Sequence, residues 1–186
     1  MKKINNTVRI IGGQFRGKKI TFPEADGLRP TSDRVRETVF NWLMHDIREA
    51  RCLDLFAGSG ALGFEAHSRG AAHVVLIEKN PVIYRHLQQT AAAFHPEKLS
   101  IIQASAANYL QAQPATQFDV IFVDPPFAHI ELFECIHQFE QSDLLKNHGL
   151  LYVESPHELK LDPRFWRLLK LKTAGQVTYA LYTFHE

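Results

Sequence analysis

Leu53-Asp54-Leu55-Phe56-Ala57-Gly58-Ser59-Gly60-Ala61-Leu62-Gly63 decides the fold. An apolar strand runs here into a helix through a GxGxxG loop at Gly58, Gly60 and Gly63. Glycines at those places let the backbone turn tightly and approach a ligand closely. Glu78 lies twenty residues beyond Gly58, at the end of the next apolar run. A carboxylate there can accept both hydroxyls of a ribose. The pattern is that of a nucleotide-binding βαβ unit, but Asp54 stands at the strand tip, four residues before Gly58. A carboxylate in that place repels a pyrophosphate and suits a cation such as a sulfonium or an ammonium. In addition, 50 residues precede residue 51, where the unit begins, whereas dinucleotide folds usually begin with the loop.

S-adenosylmethionine meets these demands, with a ribose for Glu78, positive charge for Asp54 and no phosphate. Asp54, Phe56, Gly58, Gly60 and Glu78 are the expected cofactor set. The plain alternative is a glycine turn that only packs a helix on a strand, and Asp54 and Glu78 weigh against it.

Outward from the loop, strands and helices alternate. The spacing predicts strands at Cys52–Phe56, His73–Glu78, Leu99–Ala104, Asp119–Asp124 and Leu150–Glu154. Ile83, Leu87, Ala91 and Phe94 mark one intervening helix, and Leu132, Ile136 and Phe139 another. The strands are almost wholly apolar, as parallel strands covered on both faces must be. The result is a doubly wound α/β sheet. Residues 176–184, with Arg167–Lys172, read as a closing hairpin. Near the start, Val8–Ile11 and Lys18–Thr21 read as a hairpin around Gly12-Gly13 and Gly17. A helix capped by Thr31, Ser32 or Asp33 follows, with Val35, Val39, Trp42 or Leu43, and Ile47 on one face. The expected organisation is a basic hairpin extension over residues 1–30 and a main domain over 31–186.

The second chemical motif is Asp124-Pro125-Pro126-Phe127, directly after the strand Phe118–Val123. That is the carboxyl end of the sheet, where such folds bind ligands. Two successive prolines donate no backbone hydrogen bond and fix the chain direction. An exocyclic amine on a nucleobase is a poor nucleophile, because its lone pair is delocalised into the ring. Acceptors on its two N–H groups draw the nitrogen toward tetrahedral geometry. Asp124 and the Pro125 carbonyl are the expected acceptors, and Phe127 offers a ring on which a flipped base stacks.

Charge is unevenly placed. Residues 1–36 hold nine Lys or Arg against three acids, net +6, while the remainder holds twelve against seventeen, net −5. A basic front on an acidic body predicts a docked polyanion, with Arg9, Arg16, Lys18, Lys19, Arg29, Arg34 and Arg36 as RNA contacts. The bland reading is a solvated charged segment. A chain of 186 residues suits one domain with a small appendage, and a monomer is expected. The first residues carry charge without an apolar stretch, so no signal peptide is expected, nor any membrane span. Cys52 and Cys135 form no CxxC pair, which suits a reduced cytoplasmic protein. The ten histidines make no metal-ligand pattern, and His129 is read as a rim residue beside the tetrad. No metal is expected.

Several functions remain open on these residues: amine methylation of a guanine, of an adenine in DNA or RNA, or of a protein glutamine. The others are a non-catalytic RNA-binding assembly factor and, against Asp54, a nicotinamide-dependent reductase. The basic front favours nucleic acid over glutamine, and intact Asp54, Glu78 and tetrad favour an enzyme.

The residues carry a resemblance. The glycine loop with Asp54, Ile77-Glu78-Lys79-Asn80 and the DPPF tetrad resemble class I S-adenosylmethionine methyltransferases that act on exocyclic amines. Residues 9–18 (RIIGGQFRGK) and 29–43 (RPTSDRVRETVFNWL) narrow it to the ribosomal small-subunit methyltransferase D family, over nearly the whole chain. Residues 152–155 and 174–177 fit as well. The tetrad is shared by many amine methyltransferases, whereas RIIGG and RPTSDRVRE are far more specific. The resemblance implies 16S rRNA (guanine(966)-N(2))-methyltransferase activity on an assembling small ribosomal subunit. It also implies a Rossmann-like, mostly parallel sheet of seven strands whose last strand is antiparallel, and it puts Ser105 and Ala106 near the adenine.

Overall fold

The computed structural model describes residues 6–24, 30–112, 115–126 and 129–185. In chain order the elements are β1 (Asn6–Arg9), β2 (Lys19–Phe22), α1 (Asp33–Trp42), β3 (Arg51–Asp54), α2 (Ala61–Ser68), β4 (His73–Glu78), α3 (Pro81–Ala91), β5 (Leu99–Gln103), α4 (Ala106–Gln111), β6 (Phe118–Val123), α5 (His129–Glu140), β7 (Leu145–Ser155), β8 (Trp166–Ala174) and β9 (Val177–Phe184). Seven strands form one sheet in the order β5-β4-β3-β6-β7-β9-β8. The first five run parallel, and β9 pairs antiparallel with both β7 and β8. The chain order reverses between β3 and β6, which opens a crevice at the carboxyl ends of those strands.

Caps explain where the helices begin. Ser32 Oγ accepts from Val35 N at 3.3 Å and starts α1, so Ser32 is the cap among the three candidates. Asn80 Oδ1 accepts from Val82 N at 2.9 Å, with Pro81 at the first helical position of α3. Helix α1 stops at Trp42, short of the expected apolar run, yet Ile47 is still buried from the turn that follows. Helix α4, only six residues long, has no period that a sequence displays.

Both faces of the sheet are covered. On one side α1, α2, α3 and the β1–β2 hairpin bury Ile10, Ile20, Val39, Phe40 and Phe64 against Val74, Leu76, Phe122 and Tyr152. On the other, α4 and α5 bury Leu110, Leu132, Ile136 and Phe139 against Leu53, Ile121 and Val153. The hairpin and its loop lie directly on α2, which is why every residue of that helix is buried. Gly13 (φ 76°) shows how closely: a Cβ there would stand 1.8 Å from the Ser68 carbonyl oxygen.

A buried ion cluster ties hairpin, α1 and α2 together. Glu65, fully buried, accepts from Ile11 N and Gly12 N at 2.8 Å each and from Arg69 Nε at 2.7 Å. Arg36, equally buried, reaches Glu65 at 3.4 Å, Asp33 at 2.6 Å, and the carbonyls of Arg9 and Thr31 at 2.9 and 3.2 Å. Unpaired, either charge would be strongly destabilising in that place.

Candidate active site

At the carboxyl ends of β3, β4, β6 and β7 lies a cavity of about 590 Å³, within the usual range for small-molecule sites. Asp54, Phe56, Gly58, Glu78, Ala106, Asp124 and Pro125 all line it, so the structure brings together residues up to 71 positions apart in the chain. Gly58 and Gly60 have φ of 50° and 78°, the left-handed region a side chain disfavours. A Cβ on Gly60 would in addition strike Phe64 at 2.5 Å and Leu87 at 2.8 Å.

Glu78 shapes the loop. Gly58 N donates to its Oε2 at 3.0 Å and Asn80 N to its Oε1 at 2.7 Å. Each oxygen keeps a further lone pair for a ligand hydroxyl. Asp54 accepts from Gly63 N at 3.0 Å. Burial pushes its carboxyl up to about 7, against the pull of the Gly63 and Phe56 amides, and Glu78 and Glu154 add repulsion. Ile77, Ile83 and Ala104 supply apolar wall beside Glu78, and sequence reasoning singled out none of them for it.

At the other end, Asp124 neighbours Glu154, a carboxylate without an expected role, through a shared Thr31 hydroxyl. Thr31 Oγ1 stands 2.9 Å from Glu154 Oε1 and 3.4 Å from Asp124 Oδ2, and its single proton goes to the nearer. Tyr152 OH donates to the same Glu154 oxygen at 2.7 Å. Burial, then repulsion from Glu154 and Asp54, raises the Asp124 carboxyl well above the usual range. Burial raises Glu154 against its two hydroxyl donors. Two sequence signals touch Glu154: its place at the end of an apolar strand on the sheet's binding edge, and the fit of residues 152–155 to the family.

The lining answers the cofactor question. Asp54, Glu78, Asp124, Glu131 and Glu154 face the cavity against one Lys, Lys79. So acidic a site rejects a pyrophosphate and suits a cationic ligand. The residues present fit S-adenosylmethionine: Glu78 for a ribose, Ile77 and Ile83 for a purine face, and Asp54 for positive charge.

Not every expected residue takes its place. Ser105 is absent from the lining; its hydroxyl accepts from Asn108 N at 3.2 Å and caps α4, while Ala104 and Ala106 form the wall. Arg36 is no RNA contact, because its guanidinium is buried in the Glu65 cluster. The Lys18 ammonium lies 4.1 Å from the Phe94 ring centre and donates to the Ala93 carbonyl, so it pins the hairpin to the end of α3 rather than offering itself to a phosphate. Arg9, Arg16, Lys19 and Arg34 are exposed, and none makes an ion pair among the described residues. Phe127 and Arg29 lie outside the described residues, and the His129 side chain is likewise not described. Among the described residues no cluster of metal-ligating side chains occurs, and no helix is long and apolar enough to cross a membrane.

Comparison with known proteins agrees with the geometry. The family model described as "Conserved hypothetical protein 95" matches residues 8–183. The Escherichia coli K12 protein named ribosomal RNA small subunit methyltransferase D is 46% identical, over 98% of this chain and 94% of its own. The Haemophilus influenzae protein of that name is 44% identical, over 98% and 99%. The solved structure of yhhF from Escherichia coli superposes with a TM-score of 0.89, at 46% identity, over 97% of this chain and 99% of that one. The chain therefore belongs to the ribosomal RNA small subunit methyltransferase D family.

Proposed function

We propose that this protein is an S-adenosylmethionine-dependent methyltransferase of the bacterial cytoplasm that modifies the N2 amine of guanine 966 in 16S rRNA. Its substrate is an assembling small subunit and it works as a monomer. The observation that carries the guanine assignment is the pair Asp124 and Glu154 about Thr31. The Watson–Crick edge of guanine presents adjacent donors, N1–H and the N2 amine. Two neighbouring carboxylates match that edge. Adenine presents an acceptor beside its amine, which a carboxylate repels. The curated relatives, named for methylation of small-subunit ribosomal RNA, support the same substrate.

Glu78 holds the cofactor ribose, Gly58 and Gly60 admit its close approach, and Asp54 faces its positive charge. The bound cofactor supplies an electrophilic methyl group. Asp124 and the Pro125 carbonyl hold the two N–H groups of the target amine and orient its lone pair. Alignment and exclusion of water carry most of the rate, and no covalent bond to the protein is needed. As nitrogen gains carbon it loses a proton. Asp124 is the acceptor, because it already holds one N–H of that amine and takes the proton in its ionised form. Phe127 stacks on the base, which must leave its helix to enter.

The test is transfer of labelled methyl to small-subunit RNA, followed by digestion to nucleosides. N2-methylguanosine is expected. Label in N6-methyladenosine would replace this reading with the adenine one, and no transfer under any assembly state would leave a non-catalytic assembly factor.

A further inference from the structure

Strand β8 is the edge of the sheet, and residues 167–173 are all exposed. Its sequence, Trp166-Arg167-Leu168-Leu169-Lys170-Leu171-Lys172-Thr173-Ala174, holds three cations and no acid. Strict alternation would put Arg167 on the face opposite Lys170 and Lys172. The register with β9 shifts between Leu168 and Lys170, and this bulge changes the phase. Arg167 now opposes Thr183, Lys170 opposes Leu181, and Lys172 opposes Tyr179. Directly paired residues share a face. Leu181 and Tyr179 pack into the core beneath α1, so all three cations lie on the α1 side. Leu168 and Leu171, opposite Tyr182 and Ala180, take the other side.

The row leads to the active site. Strand β8 runs in the same direction as β7, and the turn that follows it, through Ala174, Gln176 and Val177, lines the cavity. At about 3.3 Å per residue, Arg167 to Lys172 is a row of about 17 Å ending two residues from the cavity wall. Among the described residues none of the three cations makes an ion pair. The overall −5 of residues 37–186 concealed this local +3. Helix α1, whose Arg34 is exposed, and the hairpin that carries Arg16 and Lys19 cover the same face of the sheet.

We propose that Arg167, Lys170 and Lys172 form a docking row for the phosphate backbone of the substrate RNA, a second basic contact beside the N-terminal one. It rests on the reading of the protein as an rRNA methyltransferase. The competing role for such cations is to keep a sheet edge from pairing with another copy.

The test replaces all three with Gln, which keeps the edge polar, and measures affinity for transcribed 16S rRNA from about 50 mM salt upward. Each lost phosphate contact lowers the salt slope by about 0.7 for a single strand, so the expected fall is about 2, with affinity on the order of a hundredfold weaker at the lowest salt. Cofactor affinity stays at the wild-type value, and Leu168→Gln with Leu171→Gln leaves RNA binding unchanged. Unchanged RNA affinity and slope in the triple variant, with or without new self-association by sedimentation, overturns the row. If the wild type itself neither methylates 16S rRNA nor binds it in a salt-dependent way, the functional reading falls instead.

Discussion

Asp54→Asn separates a charge from a shape. Asn keeps the size of the side chain and an oxygen for the Gly63 amide, 3.0 Å away, so the loop stays in place. What disappears is a carboxyl that burial holds at about 7. Below that value Asp54 carries a proton and offers a cationic ligand nothing; above it the carboxylate attracts the ligand. The ionised fraction rises from about one in ten at pH 6 to about nine in ten at pH 8, so wild-type affinity for S-adenosylmethionine should climb about tenfold over that interval. Calorimetric titration of both proteins at several pH values reads this directly. The variant should bind more weakly at pH 8 and lose the Asp54 share of the climb, leaving what the cofactor's own amine and the other acids contribute. The cofactor-free protein gives a second readout of opposite sign. The folded value lies above that of the unfolded chain, so the stability Asp54 contributes is present at the acid end and is lost as pH rises from about 4 to about 7. The variant should lack that decline. Parallel affinity profiles for wild type and variant would refute the pairing of Asp54 with positive charge.

Other perturbations follow from the same geometry. Glu78→Ala removes the ribose acceptor and the anchor of Gly58 and Asn80, and cofactor dissociation should increase about tenfold or more; an equal constant would free Glu78 of that role. Asp124→Ala should abolish single-turnover transfer while cofactor affinity changes little, and a near wild-type rate would remove it from the chemistry. Phe127→Ala should slow transfer more than Phe127→Tyr, which keeps a ring, and equal rates would discard the stacking role. Glu65→Ala strips two backbone amides of their acceptor and strands the buried Arg36, a loss of about 3–5 kcal/mol, or about 6–20 °C in melting temperature. A shift of a degree or two would mean that water reaches the cluster.

Periodicity exposed what depends on neighbours along the chain. His73–Glu78 has the bounds its apolar run predicts, and the glycine loop and Asp124-Pro125-Pro126 lie at the sheet's carboxyl edge as read. What stayed hidden depends on partners far away. Arg36 looks like one more cation in a basic segment until Glu65, 29 residues on, closes over it. Lys18 looks free until Phe94 lies beneath it. Glu154 gains its role only when β7 aligns beside β6 and sets it near Asp124. The stretch Lys146-Asn147-His148-Gly149 of β7 shows no strand pattern, because the pairing with β6 passes from Phe118–Leu145 to Val120–Leu150 and skips it. The β8 bulge is invisible for the same reason, since register belongs to the pair of strands and not to either one.

The position of the methyl group decides whether this protein modifies guanine 966. Small-subunit particles from cells lacking this protein would be incubated with it and labelled S-adenosylmethionine, and the label mapped along 16S rRNA by mass spectrometry of ribonuclease fragments. A single methyl on the N2 amine of guanine 966 is expected, absent with Asp124→Ala. A methyl on another base, on a ring nitrogen, or on no RNA at all would contradict it.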